Sequence, residues 1–228
     1  MLIVLPIWGW QREKKLSRTA KTEEKISINF QLSLIPALVS LLIILVKGWQ
    51  QTVHFNIKVV SNDHWTWSSF SGYILIFVLC LFIVVNLLPF FMMRMETFRT
   101  AVKEAFDHRS HVYPTTKKER LAYVAAAVFV GIGEEVMYRS FLAAYISIHW
   151  LPHSLVMSVL ITNVLFAAAH YHQGISGIIN ALAAGISFSA MFMLTGTLII
   201  PIIAHIAYDL KIFGISKFHD AVTPKART

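Results

Sequence analysis

Glu134, Glu135 and Arg139 are the only Asp, Glu, Lys or Arg residues in the 88-residue stretch 121–208. A charged side chain near a bilayer centre costs about 2.5–3.5 kcal/mol even on the lenient insertion scale, so an intramembrane ionisable group marks a site facing a cavity or the bundle interior. Helical spacing then separates the two carboxylates. Glu135 and Arg139 are four residues apart, with the acid N-terminal to the base, the favourable order for an ion pair. Glu134 lies about 100° further round the helix and has no basic residue at that spacing. It must find a partner on another helix, stay protonated or hold water. The spacing makes Glu135 the structural carboxylate and Glu134 the chemical one.

Four more polar residues stand out in the apolar background. His170 closes the run Phe166-Ala-Ala-Ala-His170, with Asn163 seven residues earlier on the same face, and His205 and Asp209 are four apart and share a face. A carboxylate at that spacing fixes an imidazole tautomer or completes a ligand set. Each feature also has a bland reading: His170 as a helix end bonded to a carbonyl, His205 with Asp209 as a polar latch between helices. Their co-occurrence with an unpaired glutamate points to chemistry. A carboxylate and an imidazole can hold and deprotonate water while a second histidine polarises a carbonyl oxygen. Alternatively, Glu134, His170, His205 and Asp209 could bind zinc and lower the pKa of bound water to about 7. The sequence carries no HExxH motif and no nucleophile elbow.

The elements that must position these groups read as membrane helices. The chain of 228 residues is 56% hydrophobic, only 14% charged, with mean hydropathy +0.62, and the excess comes in runs long enough to cross a bilayer. The expected fold is an all-α polytopic bundle of about six transmembrane helices, at residues 26–46, 70–93, 121–151, 154–169, 175–194 and 196–214. Pro36 is expected to kink the first, and Pro201 to interrupt the last. Residues 121–151 would be about 46 Å long as one helix, too long to stand upright in a hydrocarbon core of about 30 Å. That span must tilt, break or protrude. Counting from the loops puts Glu134 near the midplane and His170 near the cytoplasmic edge, so tilt, a broken helix or a water-filled funnel is needed to bring them together. Gly177, Ala181, Gly185 and Ser189 form a small-residue stripe that permits close helix approach.

Within residues 94–120, Phe98, Ala101, Val102, Ala105 and Phe106 recur at helical spacing and read as a short amphipathic helix lying on the membrane. The N-terminal block to Lys25 holds six Lys or Arg, residues 94–120 hold seven, and the C-terminal end of the chain has Lys211, Lys217, Lys225 and Arg227, against only Lys47 and Lys58 opposite. The positive-inside rule places both termini in the cytoplasm. The formal charge of +8 belongs to these loops facing anionic lipid, not to a nucleic-acid surface. The apolar residues 1–10 precede the charged block 12–25, the reverse of a signal peptide, and Trp8, Trp10, Trp49, Trp65 and Trp67 suit an interfacial belt. The lone Cys80 lies inside a span and is read as a packing residue. Residues 1–228 read as a single integral membrane domain, with two spans and the interfacial helix in 1–120 and a catalytic helical core in 121–215.

Taken in order on successive membrane helices, Glu134-Glu135-x-x-x-Arg139, Phe166-x-x-x-His170 and His205-x-x-x-Asp209 resemble the CAAX-protease and bacteriocin-processing family of intramembrane proteases. The resemblance covers roughly residues 121–213. It implies that Glu134 and His170 activate water, that His205 and Asp209 complete the site, and that Glu135, Arg139 and Asn163 support it. It also implies a peptide or protein substrate at the membrane, a bacterial cell membrane as location, and either zinc or no metal. Asp209 stands where eukaryotic members often carry Asn. A carboxylate donates poorly to an oxyanion, so holding His205 is the alternative role for Asp209. The expected activity is endopeptidase cleavage, of CAAX type or in bacteriocin processing and self-immunity. The rival readings are a secondary transporter, against which six spans and the lack of a repeat speak, and a non-catalytic membrane scaffold.

Overall fold

A computed structural model of the chain describes residues 37–48, 69–108, 114, 116–151 and 154–214. The N-terminal apolar stretch, Pro36, the tryptophans at 49, 65 and 67, and the C-terminal tail lie outside the described residues. Those described are almost wholly helical and contain no extended strand. In chain order the helices are α1 (Ala37–Lys47), α2 (Ser69–Met92), α3 (Glu96–His108), α4 (Lys117–Glu134), a π-helical segment (Glu135–Leu142), α5 (Ala143–His149), α6 (Leu155–Ala169), α7 (Gly174–Thr195) and α8 (Ile199–Leu210).

Three stretches are long and apolar enough to cross a membrane: Gly72–Met92, Lys117–His149 and Gly174–Thr195. This is an integral membrane protein, and two of its apolar helices are short. α6 has 15 residues and α8 only 12, about 22 and 18 Å at 1.5 Å per residue, against roughly 20 residues for a span. α6 fills its apolar run but for the N-cap Ser154, whereas the run of the last helix begins in the turn at Gly196. α7 stops at Gly196, which takes a left-handed φ of +66° and donates its N–H to the Phe192 carbonyl, an αL cap that a side chain would strain. Pro201 does not interrupt α8. It sits in the first turn, where the missing N–H has no intrahelical partner to lose, and Ile202 already donates to the Leu198 carbonyl.

The 33-residue helix from Lys117 to His149 carries the acidic pair. It starts in a capping box: Glu119 N–H donates to Thr116 Oγ1, and Thr116 N–H donates to Glu119 Oε2, satisfying two orphan donors. It then changes pitch at Glu135, where i→i+5 bonding widens the turn as far as Leu142. Such π segments are rare and occur mostly at functional sites. α3 forms as expected, with Phe98 and Val102 half-buried and Lys103 and Glu104 exposed. α2 runs along the outside, with Ile76, Phe77, Leu81, Ile83, Val84 and Phe91 at least half exposed, as lipid-facing residues should be. α4 packs against α8, and α6 and α7 pack on each other. Gly131 makes the first contact close: a Cβ there would lie 2.7 Å from Ile206 Cγ1. The approach of these backbones brings the acidic pair, one turn further on, to His205.

Candidate functional site: a buried carboxylate–imidazole cluster

Arg139 is the anchor of the cluster. Its Nη1 donates to Glu135 Oε1 at 3.0 Å, its Nη2 to the Gly185 carbonyl at 3.2 Å and its Nε to Ser189 Oγ at 3.4 Å. Ser189 in turn donates to Asn163 Oδ1 at 3.2 Å, and Asn163 Nδ2 donates to the Val159 carbonyl at 3.0 Å. One guanidinium thus ties the π segment to α7 and, through Ser189, to α6. Its planar fork presents donors in fixed directions, which suits three acceptors at once. The Phe166 ring lies under it at 4.5 Å, a cation–π contact.

The small-residue stripe on α7 is therefore a docking strip for Arg139 as well as a packing surface. A Cβ at Gly185 would meet Asn163 Oδ1 at 2.8 Å, Phe166 Cδ1 at 3.0 Å and Arg139 Nη2 at 3.2 Å. Gly185→Ala is expected to destabilise the protein by about 1–3 kcal/mol, the usual range for overpacking, and to displace the guanidinium. A lowered melting temperature in detergent together with reduced activity checks this. An unchanged melting temperature would show that the helices part without cost.

His205 is gripped by Glu135. Its Nδ1 donates to Glu135 Oε1 at 2.8 Å, the oxygen that also accepts from Arg139. Glu135 is fully buried and the His205 side chain is 5% exposed. The sequence spacing assigned His205 to Asp209, and the structure corrects this. Asp209 Oδ2 is 3.9 Å from His205 Nε2, beyond hydrogen-bond range. The two side chains do share a face, but the imidazole is stacked on Phe188, with ring centroids 4.8 Å apart at 18°, and meets the Phe166 ring at 87°. Clamped between the rings, it turns Nδ1 to the π segment instead. Glu135 thereby fixes the tautomer, leaving Nε2 to face the remaining carboxylates.

Those carboxylates are Glu134, whose Oε2 is 3.7 Å from Nε2, and Asp209, at 17% and 26% side-chain exposure. They are the acids of the cluster that the surroundings can reach. Glu134 Oε2 is itself buried and accepts no hydrogen bond from the described residues, so its lone pairs are uncommitted, whereas Glu135 Oε1 serves two donors. His170 caps α6, and its Nδ1 donates to the Phe166 carbonyl at 2.8 Å. The bland reading of a helix-end histidine bonded to a carbonyl thus holds for one nitrogen. That same bond makes Nε2 the lone-pair nitrogen of the neutral ring. Phe166 touches both imidazoles, with centroids 4.8 Å from His170 and 6.2 Å from His205, and so keeps the end of the short α6 beside the cluster.

Phe166 stood in the Phe166-x-x-x-His170 motif, whereas Phe188 is a part of the cluster that the sequence did not reveal, because an aromatic residue in an apolar run carries no signal of its own. Behind Phe188 stand Phe82 of α2 at 5.6 Å and Tyr208 at 6.2 Å, so an element far upstream in the chain buttresses the imidazole. Among the described residues no three His, Cys, Asp or Glu side chains are placed to hold a metal ion. The 3.7 and 3.9 Å separations around His205 Nε2 also exceed the ~3.3 Å that tetrahedral zinc with bonds of about 2.0–2.1 Å would draw together.

Buried carboxylates and imidazoles, two of the acids without a hydrogen bond from the described residues, thus cluster inside an integral membrane protein. The sequence model of a family described as type II CAAX prenyl endopeptidase Rce1-like matches residues 116–211, the stretch that contains every group of the cluster. Residues 116–211 are thus similar to the type II CAAX prenyl endopeptidase Rce1-like family of intramembrane proteases. Searches of curated proteins and of solved structures returned no match.

Proposed function

We propose that the protein is a glutamate-dependent intramembrane endopeptidase that cleaves near the C-terminus of a membrane-anchored, CAAX-type peptide. The observation that carries this reading is the division of labour between adjacent carboxylates. Glu135 is anchored through Oε1 by Arg139 and His205, whereas Glu134 accepts no hydrogen bond from the described residues and its Oε2 lies 3.7 Å from His205 Nε2.

In the proposed reaction, Glu134 takes a proton from water while the lone pair on His170 Nε2 orients it, and the water oxygen attacks the scissile carbonyl carbon. The carbonyl oxygen becomes negative. His205, when it carries protons on both nitrogens, donates from Nε2 to that oxygen. Its other N–H stays on Glu135, and Arg139 holds Glu135 in place. Asp209 balances the charge of His205 at longer range. Glu134, now a carboxylic acid, returns its proton to the leaving nitrogen as the C–N bond breaks.

Cleavage of a prenylated peptide by the purified protein in proteoliposomes, followed by mass spectrometry, tests the reading. The expected products are a shortened lipidated peptide and a released C-terminal fragment. An intact peptide, with fully folded protein present, would overturn it. Substrate uptake into the vesicles without cleavage would favour a transporter.

A further inference from the structure

Tyr138 is a buried, ionisable side chain of the acidic segment that the proposed reaction leaves unused. It follows Glu134 by four residues, as Arg139 follows Glu135, so the two pairs lie side by side on adjoining faces of the helix. Arg139 completes its pair with a hydrogen bond at 3.0 Å. Glu134 and Tyr138 are not joined in this way, and both lack a side-chain hydrogen bond among the described residues. An aromatic side chain on a helix leans back toward the preceding turn, here the turn of Glu134, and both Glu134 and Arg139 act on the phenol electrostatically.

The ring is fixed, and only the hydroxyl is unspoken for. Tyr138 is 3% exposed and packs with Phe166 and Ala181 in one buried cluster. Its ring meets that of Phe166 at 5.2 Å and 83°, and the same Phe166 ring lies 4.8 Å from the His170 imidazole. Tyr138 thus reaches from the segment of Glu134 to the end of α6 that carries His170. The small exposed remainder of the residue includes the hydroxyl oxygen. A buried phenol ordinarily finds a hydrogen-bond partner. One left unpaired beside an unpaired carboxylate points to a guest that supplies the partner.

The proposed reaction has a place for such a donor. Glu134 and the lone pair of His170 Nε2 both accept, so a water held by them gives up both of its protons and receives no hydrogen bond on its oxygen. One lone pair of that oxygen attacks the carbonyl carbon, and the other is free to take a donor. We propose that the Tyr138 hydroxyl donates to the oxygen of the attacking water, the third point, after Glu134 and His170, that fixes its orientation. The proposal rests on the endopeptidase reading above and deepens it. As Glu134 takes the proton and the new C–O bond forms, Tyr138 keeps its own proton, and its hydrogen bond stays on the oxygen that enters the product carboxyl group. It aims the water and transfers nothing.

Tyr138→Phe tests this, because it removes one oxygen atom and keeps the ring on Phe166. The hydroxyl has no partner in the described protein, so the melting temperature in detergent should stay the same or rise. With a prenylated peptide in proteoliposomes, kcat is expected to fall about 5- to 50-fold, the span of one hydrogen bond. KM should not change, since the contact is made to the water and not to the peptide. Tyr138→Leu, which also removes the ring, should lose stability as well as rate. A Tyr138→Phe protein with wild-type kcat would overturn the proposal while leaving the protease intact. So would a loss of activity confined to KM, or one matched by a lowered melting temperature. Failure of the wild-type protein to cleave would instead count against the endopeptidase reading itself.

Discussion

Glu135→Ala is expected to lower the stability of the folded protein by about 3–5 kcal/mol, the usual consequence of removing one partner from a buried ion pair. Glu135 Oε1 accepts from both Arg139 Nη1 and His205 Nδ1, and the Glu135 side chain is fully buried. Its loss strands a guanidinium inside the bundle and releases the imidazole at the same time. Low yield and an early melting transition in detergent, with activity lost in proportion, are the expected results. Glu135→Gln should recover part of the stability, since an amide oxygen can still accept from both donors. A Glu135→Ala protein as stable as the wild type, but slow, would move Glu135 from support into the chemistry.

The largest effect on rate is expected at the neighbouring position. Glu134→Gln should reduce cleavage by about 10²–10⁴-fold, the range for loss of a general base, while the melting temperature stays within a degree or two. The amide is isosteric with the carboxylate, and Glu134 Oε2 accepts no hydrogen bond from the described residues, so little internal pairing is lost. The contrast between the two variants is sharper than either result alone. Adjacent glutamates on one helix should fail in different ways, one by unfolding and one by chemistry. Cleavage near the wild-type rate by Glu134→Gln would remove the proposed mechanism.

The long helices were legible in the sequence because uncharged runs of twenty or more residues have few other fates. The helices at Gly72–Met92, Lys117–His149 and Gly174–Thr195 overlap the apolar runs at 70–93, 121–151 and 175–194. The last one was misread in detail: hydropathy does not see the αL turn at Gly196, and a proline in a first turn looks the same in sequence as one in mid-helix. The Glu135–Arg139 contact was also legible, since four-residue spacing is local geometry. The same rule misled at His205 and Asp209, where spacing allows a hydrogen bond but does not choose it against partners on other helices. Glu135 and His205 are 70 residues apart, and no local pattern joins them. Nor does any residue pattern announce the π segment at Glu135–Leu142. The stripe of Gly185 and Ser189 was read as packing. Its second use, as acceptors for a guanidinium, appears only once the helices are assembled.

The central claim is that Glu134 activates water on this chain's own side chains, and single-turnover cleavage in ¹⁸O-labelled water tests it most directly. Protein in excess over a prenylated peptide, after exhaustive chelation, is allowed one turnover, and both peptide and protein are then weighed by mass spectrometry. The account predicts cleavage at the undiminished wild-type rate, with one ¹⁸O in the new carboxyl terminus and none in the segment bearing Glu134. Activity that vanishes on chelation and returns with zinc, or label found on the Glu134 carboxylate after that single turnover, would contradict it.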